Sequence, residues 1–423
     1  MNVTRTARAG RRTVRLAAVT LAGATVVALA PTAATAAGGT DAGGTAAPPA
    51  VSADAAARVD LGPELQAVVE RGSSTAALGE ARENGRRVWR DAAGVADLDS
   101  QRPARADGRF RIGSVTKTFV STVTLQLADE GKLRLDDPVE RYLPGVVPNG
   151  GAITLRQLLN HTSGLYDYLS DPRFLFEDEA SLRSYLADRR WKTWTPAQLI
   201  EVGVQAAPYF PPGQGWHYSN TNYVLIGEVI RKVTGYDWRS EVDRRIVKPL
   251  HLTDTTFAGA RTGVPGPHAH GYAKLPEGPA DITLINPSFG DAAGDGISTT
   301  ADLNRFHAAL FGGKLLSPAR FAEMTTAVPA PLIFAHYGLG LIRYDLSCGE
   351  VWGHTGGIPG YNTLWLGAKD GTRQFSLSYN LTQGSETDDT LTTLNAFIEK
   401  ASCGPAGAAT DTRTAKSPFT LLP

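Results

Sequence analysis

Two cysteines and two methionines in 423 residues leave little sulfur chemistry. Two thiols cannot build a cluster-type zinc site or a disulfide-dense scaffold. Charge of one sign is also missing. Lys+Arg and Asp+Glu both number 42, so the formal net charge is zero. A neutral chain lacks the long-range field that non-specific nucleic-acid binding needs, and no nucleic-acid partner is expected. Several catalytic signatures are absent: no G-x-S-x-G elbow, no P-loop, no Rossmann fingerprint and no H-E-x-x-H. Of eight histidines only His268 and His270 are close in sequence. They stand in a Pro/Gly-rich loop and read as surface residues, so no metal and no organic cofactor is expected.

The composition that is present fits an enzyme-sized globular chain. Hydrophobic residues make up 42% and charged residues 20%, enough to bury a core and too apolar for disorder throughout. The N-terminus reads as a secretory signal over residues 1–36. Arg5, Arg8, Arg11, Arg12 and Arg15 make a basic region, and residues 16–30 are apolar. Pro31 comes next, then the small-x-small site Ala34-Thr35-Ala36. The apolar stretch falls short of the roughly 20 residues that span a bilayer, so secretion is expected and a stable membrane anchor is not. Arg11-Arg12 is compatible with a twin-arginine signal, but the residues after this pair fit ordinary secretion better. Residues 37–57 are Gly, Ala, Thr and Pro with two acids, a linker composition. Residues 404–423 are similarly poor in core formers and read as a disordered tail. The folded unit is expected over 58–403. In a secreted chain, Cys348 and Cys403 are expected to pair.

Patterning within that unit is mixed. A short helix is predicted over 63–71 and a hairpin over 75–82 and 86–93, turned by Asn84-Gly85. A longer helix covers 115–130, with Phe119, Val123 and Leu127 on one face and Gly131 as its stop. Residues 135–289 look mainly helical. Thr195-Pro196 caps one helix, and Asn220 caps another that ends at Gly235. Strands return at 337–344, 350–355, 361–366 and 373–380, and an amphipathic helix carries Leu391, Leu394, Phe397 and Ile398. The expected fold is α/β (α+β): an antiparallel sheet flanked by helices, formed by 58–134 and 290–403, with an inserted all-α domain at 135–289.

Three short motifs carry the chemistry. Gly113-Ser114-Val115-Thr116-Lys117 opens the longer helix. Ser114 there sits at the positive end of the dipole, and Lys117 comes one turn on. A serine hydroxyl needs a neighbour to take its proton, and a lysine does this only when its pKa is lowered. A plain N-cap serine with a surface lysine would give the same pattern. Tyr218-Ser219-Asn220 precedes another helix. A phenol can relay protons, and an amide can both donate to and accept from a substrate, although a core tyrosine and a helix cap would look alike. Gly353-His354-Thr355-Gly356-Gly357 ends a strand. Paired glycines let a substrate backbone approach the edge, and Gly357 N–H with Ser114 N–H can form an oxyanion hole. His354 would supply a polar or cationic group facing the nucleophile.

In that order the motifs resemble those of the penicillin-recognising serine hydrolases, and most closely the secreted soluble D-alanyl-D-alanine carboxypeptidases near the serine β-lactamases. Phe110-Arg111-Ile112 before the first motif, Asp129-Glu130-Gly131-Lys132-Leu133, Ser163-Gly164-Leu165-Tyr166-Asp167-Tyr168 and Asp345-Leu346-Ser347-Cys348-Gly349 are similar too. The likeness runs from about 60 to 404. It implies that Ser114 attacks the carbonyl of a D-residue and that Lys117 and Tyr218 move the proton. It implies that Asn220 holds the acylamide side chain, that His354, Thr355 and Gly356 line the site, and that Gly357 completes the oxyanion hole. Phe289 takes the place of an apolar pocket wall. The group's disulfide matches Cys348 and Cys403. β-Lactams would enter as slow substrate mimics.

Two departures bear on specificity. Carboxypeptidases of this kind carry a threonine after His-Thr-Gly and an arginine after Gly-Leu-Gly-Leu, and both bind the substrate's terminal carboxylate. Here those places hold Gly357 and Ile342, with Arg343 one residue later. A missing guanidinium removes a charge-assisted contact of roughly 1.5–3 kcal/mol. The expected activity is a D-Ala-D-Ala carboxypeptidase or DD-peptidase acting on peptidoglycan-type peptides. The alternative, which these departures favour, is a D-stereospecific aminopeptidase, endopeptidase or esterase on the same scaffold. A β-lactam-binding sensor without turnover is a third reading, against which an intact proton relay argues.

Overall fold

The computed structural model describes residues 59–404 except 177, 382–384 and 386. The signal, linker and tail expected at the two ends lie outside the described residues.

A nine-stranded antiparallel sheet forms the frame. Its strands are β1 (Ser74–Glu83), β2 (Arg86–Asp97), β3 (Arg102–Pro103), β4 (Val328–Ala330), β5 (Ala335–Tyr337), β6 (Ile342–Leu346), β7 (Gly349–Ile358), β8 (Tyr361–Ala368) and β9 (Arg373–Leu381). The spatial order is β3-β2-β1-β9-β8-β7-β6-β5-β4. Asn84 and Gly85 both take positive φ, as a two-residue hairpin turn requires. Alternation sorts the strand side chains onto two faces. Leu364, Leu366 and Leu377 join Leu65 and Val68 of α1 (Gly62–Glu70) and Phe397 and Ile398 of α5 (Asp388–Cys403). Trp352 and Trp365 meet the other layer, where Phe119 of α2 (Thr116–Asp129) stacks on Phe306 of α4 (Thr300–Phe311). Helices thus cover both faces.

The stretch predicted as a single strand at 337–344 is two strands. A tight turn separates them, closed by Gly338 N–H donating to Leu341 O (2.8 Å), and Gly340 has φ +76°. A left-handed glycine cannot continue a strand. The segment 135–289 is rich in helices, but it is not the all-α domain expected. It contains the hairpin Tyr272–Leu275 with Gly278–Asp281. It also contains strand Thr256–Phe257, which pairs with Gly296–Ser298. The described residues belong to one compact unit.

A small sheet aims the first motif. Phe110–Arg111 pairs with Gly296–Ser298 and leads straight into a 3-10 turn, Gly113–Val115, which becomes α2. Thr116 Oγ accepts from Gly296 N (3.1 Å) and pins this junction. The second motif opens α3 (Asn220–Thr234). Its N-cap is Ser219, not Asn220, and the Ser219 side chain makes no capping bond. The Asn220 side chain is used elsewhere.

Candidate active site

The three motifs converge. Lys117 is fully buried, and its Nζ has three partners: Ser114 Oγ (2.9 Å), Asn220 Oδ1 (2.7 Å) and Ala293 O (2.8 Å). Burial drives its pKa well below the usual lysine value, and only nearby Asp167 pulls it back. Burial likewise raises Asp167, which the Lys117 charge and donated hydrogen bonds from Asn220 oppose. The Asn220 amide joins the two. Its Nδ2 donates to both Asp167 oxygens (3.1 and 3.0 Å), which turns Oδ1 toward Lys117. Asn220 N–H also reaches Asp167 (3.0 Å). Expected to hold the substrate's acylamide group, Asn220 is almost fully buried and bound to Lys117 and Asp167.

Tyr218 is buried, and its ring lies under Lys117, with Nζ 4.8 Å from the centroid. Burial raises the phenol well above its ordinary pKa, and Ser114 beside it draws it partly back. No partner of the hydroxyl meets full hydrogen-bond geometry. Tyr218 is therefore a neutral phenol facing the serine.

For His354 the sequence leaves a polar or a cationic role open, and the cationic option fails. Its Nδ1 lies 2.5 Å from Thr355 O, a pure acceptor, so Nδ1 carries the proton. Nε2 then accepts from the Tyr337 hydroxyl (2.8 Å). Burial, reinforced by the Lys117 charge, lowers its pKa to about 3, so the ring is neutral near pH 7. Thr355 is buried beside Tyr344.

The strand-end glycines touch the first motif. A Cβ on Gly356 would lie 2.0 Å from Ile112 O and 3.2 Å from Ser114 N. A Cβ on Gly113, whose φ is +48°, would lie 2.8 Å from Gly357 N. The Ser114 and Gly357 backbones are thus neighbours, as a pair of oxyanion donors must be. β6 pairing ends at Ile342 opposite Gly353, whereas β8 pairs through Ile358. Among the described residues, positions 354–357 therefore have a ladder partner on one side only. Phe289 is half-buried and, like Ile358, packs on a cluster with Tyr185, Ile282 and Ile285.

Residues that the sequence did not single out support the site. Asp167, His161 and the Ala293 carbonyl all touch the motif residues. Ala293 lies in the short helix Asp291–Gly294, where Asp291 has φ +37°. Arg239 holds both flanking carboxylates, Asp291 Oδ1 and Asp295 Oδ2 (each 2.6 Å). One guanidinium serves two buried acids, and burial pushes Asp295 up to about 7. Arg343 is tied to His336 Nδ1 (2.9 Å) and Asp345 (3.3 Å). Ile342 is fully buried in the core. Cys348 and Cys403 form a disulfide at the opposite end of β7 from His354. Among the described residues, no group of His, Cys, Asp and Glu could hold a metal, and no helix is long and apolar enough to cross a membrane. His268 and His270 are half-buried, and His270 Nδ1 lies 2.8 Å from Asp281.

A mixed α/β fold with a buried serine–lysine pair defines a serine hydrolase of the penicillin-recognising kind. The β-lactamase family model matches residues 65–398, and the chain belongs to that family. It is similar to penicillin-binding protein 4* of Bacillus subtilis (strain 168), with 29% identity over 306 residues, 68% of this chain. The chain spans less than two thirds of the curated relatives it first matches, 64% of this one. Among solved structures it is similar to a D-stereospecific amidohydrolase from Streptomyces sp., with 42% identity and TM-score 0.72 over 81% of this chain and 97% of that one. It is also similar to a D-amino acid amidase from Ochrobactrum anthropi SV3, with 28% identity and TM-score 0.70 over 79% and 95%.

Proposed function

We propose that this protein is a D-stereospecific serine amidohydrolase that cleaves D-aminoacyl amides and peptides through an acyl-enzyme, outside the cell. The likeness to the Streptomyces amidohydrolase along 97% of that chain carries the reading. The occupied Arg343 and the buried Ile342 support it, because neither offers a clamp for a terminal carboxylate. The basic and apolar N-terminal pattern supports secretion.

This reading assigns each step to a residue of the site. Asn220 Oδ1 and Ala293 O can only accept, so they take two hydrogens of a neutral Lys117 amine. Its lone pair is left for the Ser114 proton. Ser114 Oγ attacks the carbonyl, Lys117 takes the proton, and the oxyanion forms between the N–H groups of Ser114 and Gly357. The Tyr218 phenol protonates the leaving nitrogen and recovers its proton from Lys117. Water then cleaves the ester by the reverse route. Neutral His354 braces the strand end and adds no charge. β-Lactams, as cyclic amides, would acylate the same serine.

The test is cleavage of an acylated D-Ala-D-Ala peptide in two forms, free acid and C-terminal amide, with the L-diastereomers as controls and Ser114→Ala as blank. The amide form should be cleaved at least as well as the acid, and the L forms should not be cleaved. Cleavage of the free acid alone would restore the carboxypeptidase assignment.

A further inference from the structure

His161 grips three consecutive residues, 217–219, with three different parts of itself. Its backbone O accepts from His217 N (3.1 Å). Its ring lies on the Tyr218 ring, with centroids 4.3 Å apart and planes tilted by 35°. Its Nδ1 accepts from Ser219 N (3.1 Å). Asn222 Nδ2 approaches the same nitrogen (3.2 Å). Backbone and amide N–H groups only donate, so Nδ1 is bare and the proton resides on Nε2. The residue is fully buried, and burial with nearby Lys117 keeps it neutral. Its backbone has φ +63°, a region non-glycine residues seldom adopt. Tyr337 closes the arrangement edge-on at 4.7 Å and gives its own hydroxyl hydrogen to His354. The Tyr218 hydroxyl meets Ser114 without full hydrogen-bond geometry, so ring contacts carry its orientation.

We propose that His161 is a positioning residue that aims the Tyr218 phenol at Ser114 and the leaving atom, and so governs proton delivery in amide cleavage. This rests on the hydrolase reading above. It predicts a defect that depends on the leaving group. An amine must be protonated to depart, whereas p-nitrophenolate departs unaided. A merely structural residue would weaken both reactions together.

His161→Phe keeps a ring face and loses the Nδ1 acceptor. His161→Asn keeps an acceptor near Nδ1 and tolerates the left-handed backbone, but loses the ring. Pre-steady-state acylation is measured with a D-amino-acid amide and its p-nitrophenyl ester, for wild type, both variants, Tyr218→Phe and Ser114→Ala. Both His161 variants should slow amide acylation at least about tenfold, leave ester acylation within about threefold, and leave KM nearly unchanged, matching Tyr218→Phe. Thermal unfolding accompanies each, and if one variant fails to fold the other decides. Equal losses on both substrates, or full amide activity in a folded variant, overturn the positioning role. Turnover by Ser114→Ala instead removes the hydrolase reading, and the role of His161 with it.

Discussion

Lys117 Nζ lies 2.9 Å from Ser114 Oγ, and its two other partners can only accept hydrogen bonds. That asymmetry leaves the serine as the one neighbour able to give the amine a proton. Burial without a carboxylate in direct contact lowers the Lys117 pKa and so favours the neutral amine that proton abstraction needs.

Replacing Lys117 by Met should lower acylation by about 10²–10⁴-fold, the usual worth of a general base, with little change in KM. Stopped-flow acylation by an amide substrate checks this. Rates within about threefold of wild type would remove Lys117 from the proton path.

Asp167 is the charge that pulls the Lys117 pKa up. In Asp167→Asn that pull is gone, so the amine should stay neutral to lower pH. The acid limb of the kcat/KM profile should move down in pH. Movement upward, or none, would show that Lys117 does not set this limb.

His354 and His307 are buried, with pKa values lowered to about 3, and burial also lowers His161. A histidine whose folded pKa is below its unfolded value stabilises the fold above about pH 6.5 and loses that contribution as pH falls. Asp295, raised to about 7, works in the opposite sense, losing stability as pH rises toward 7. Burial raises Asp167 and Asp302 as well, so three carboxyls oppose the three histidines, and the histidine share shows as a climb in Tm between about pH 4 and 6.5 relative to a variant that lacks one of them. His307→Gln should flatten the climb and leave activity at neutral pH intact. Thermal unfolding across that range reads both effects.

The Cys348 to Cys403 bond joins the β6–β7 turn to the end of α5, across 55 residues. The Cys348→Ser, Cys403→Ser double variant should lose about 2–5 kcal/mol of stability. Because His354 stands at the other end of β7, kcat/KM at room temperature should stay within about twofold. A large loss of activity in a variant that remains folded would show coupling along the strand.

Much of the site is legible in the chain. S-x-x-K needs only one helical turn to bring Lys117 to Ser114, and the hairpin, α2 and the capping Thr195 come from local patterns. The small sheet's aim is not legible, since it pairs Phe110–Arg111 with Gly296–Ser298 across a long insertion. The neutral state of His354 depends on burial and on Lys117, neither of which adjoins it in sequence. The work of Asn220 depends on Asp167, 53 residues away. Ala293 contributes a backbone carbonyl, which any residue would supply. His161 stands just before the Ser163-Gly164-Leu165 segment, but a lone histidine in a sequence does not announce three contacts.

The bare seam between Gly113 and Gly356-Gly357 has an implication for redesign. Backbone touches backbone there, and the first carbon of a side chain at Gly113 or Gly356 would collide with Gly357 or Ile112 O. The spacing of this seam is thereby fixed against substitution at these two glycines. Libraries meant to change substrate choice belong instead at Phe289 and Ile358, partly buried side chains that pack on the cluster with Tyr185, Ile282 and Ile285.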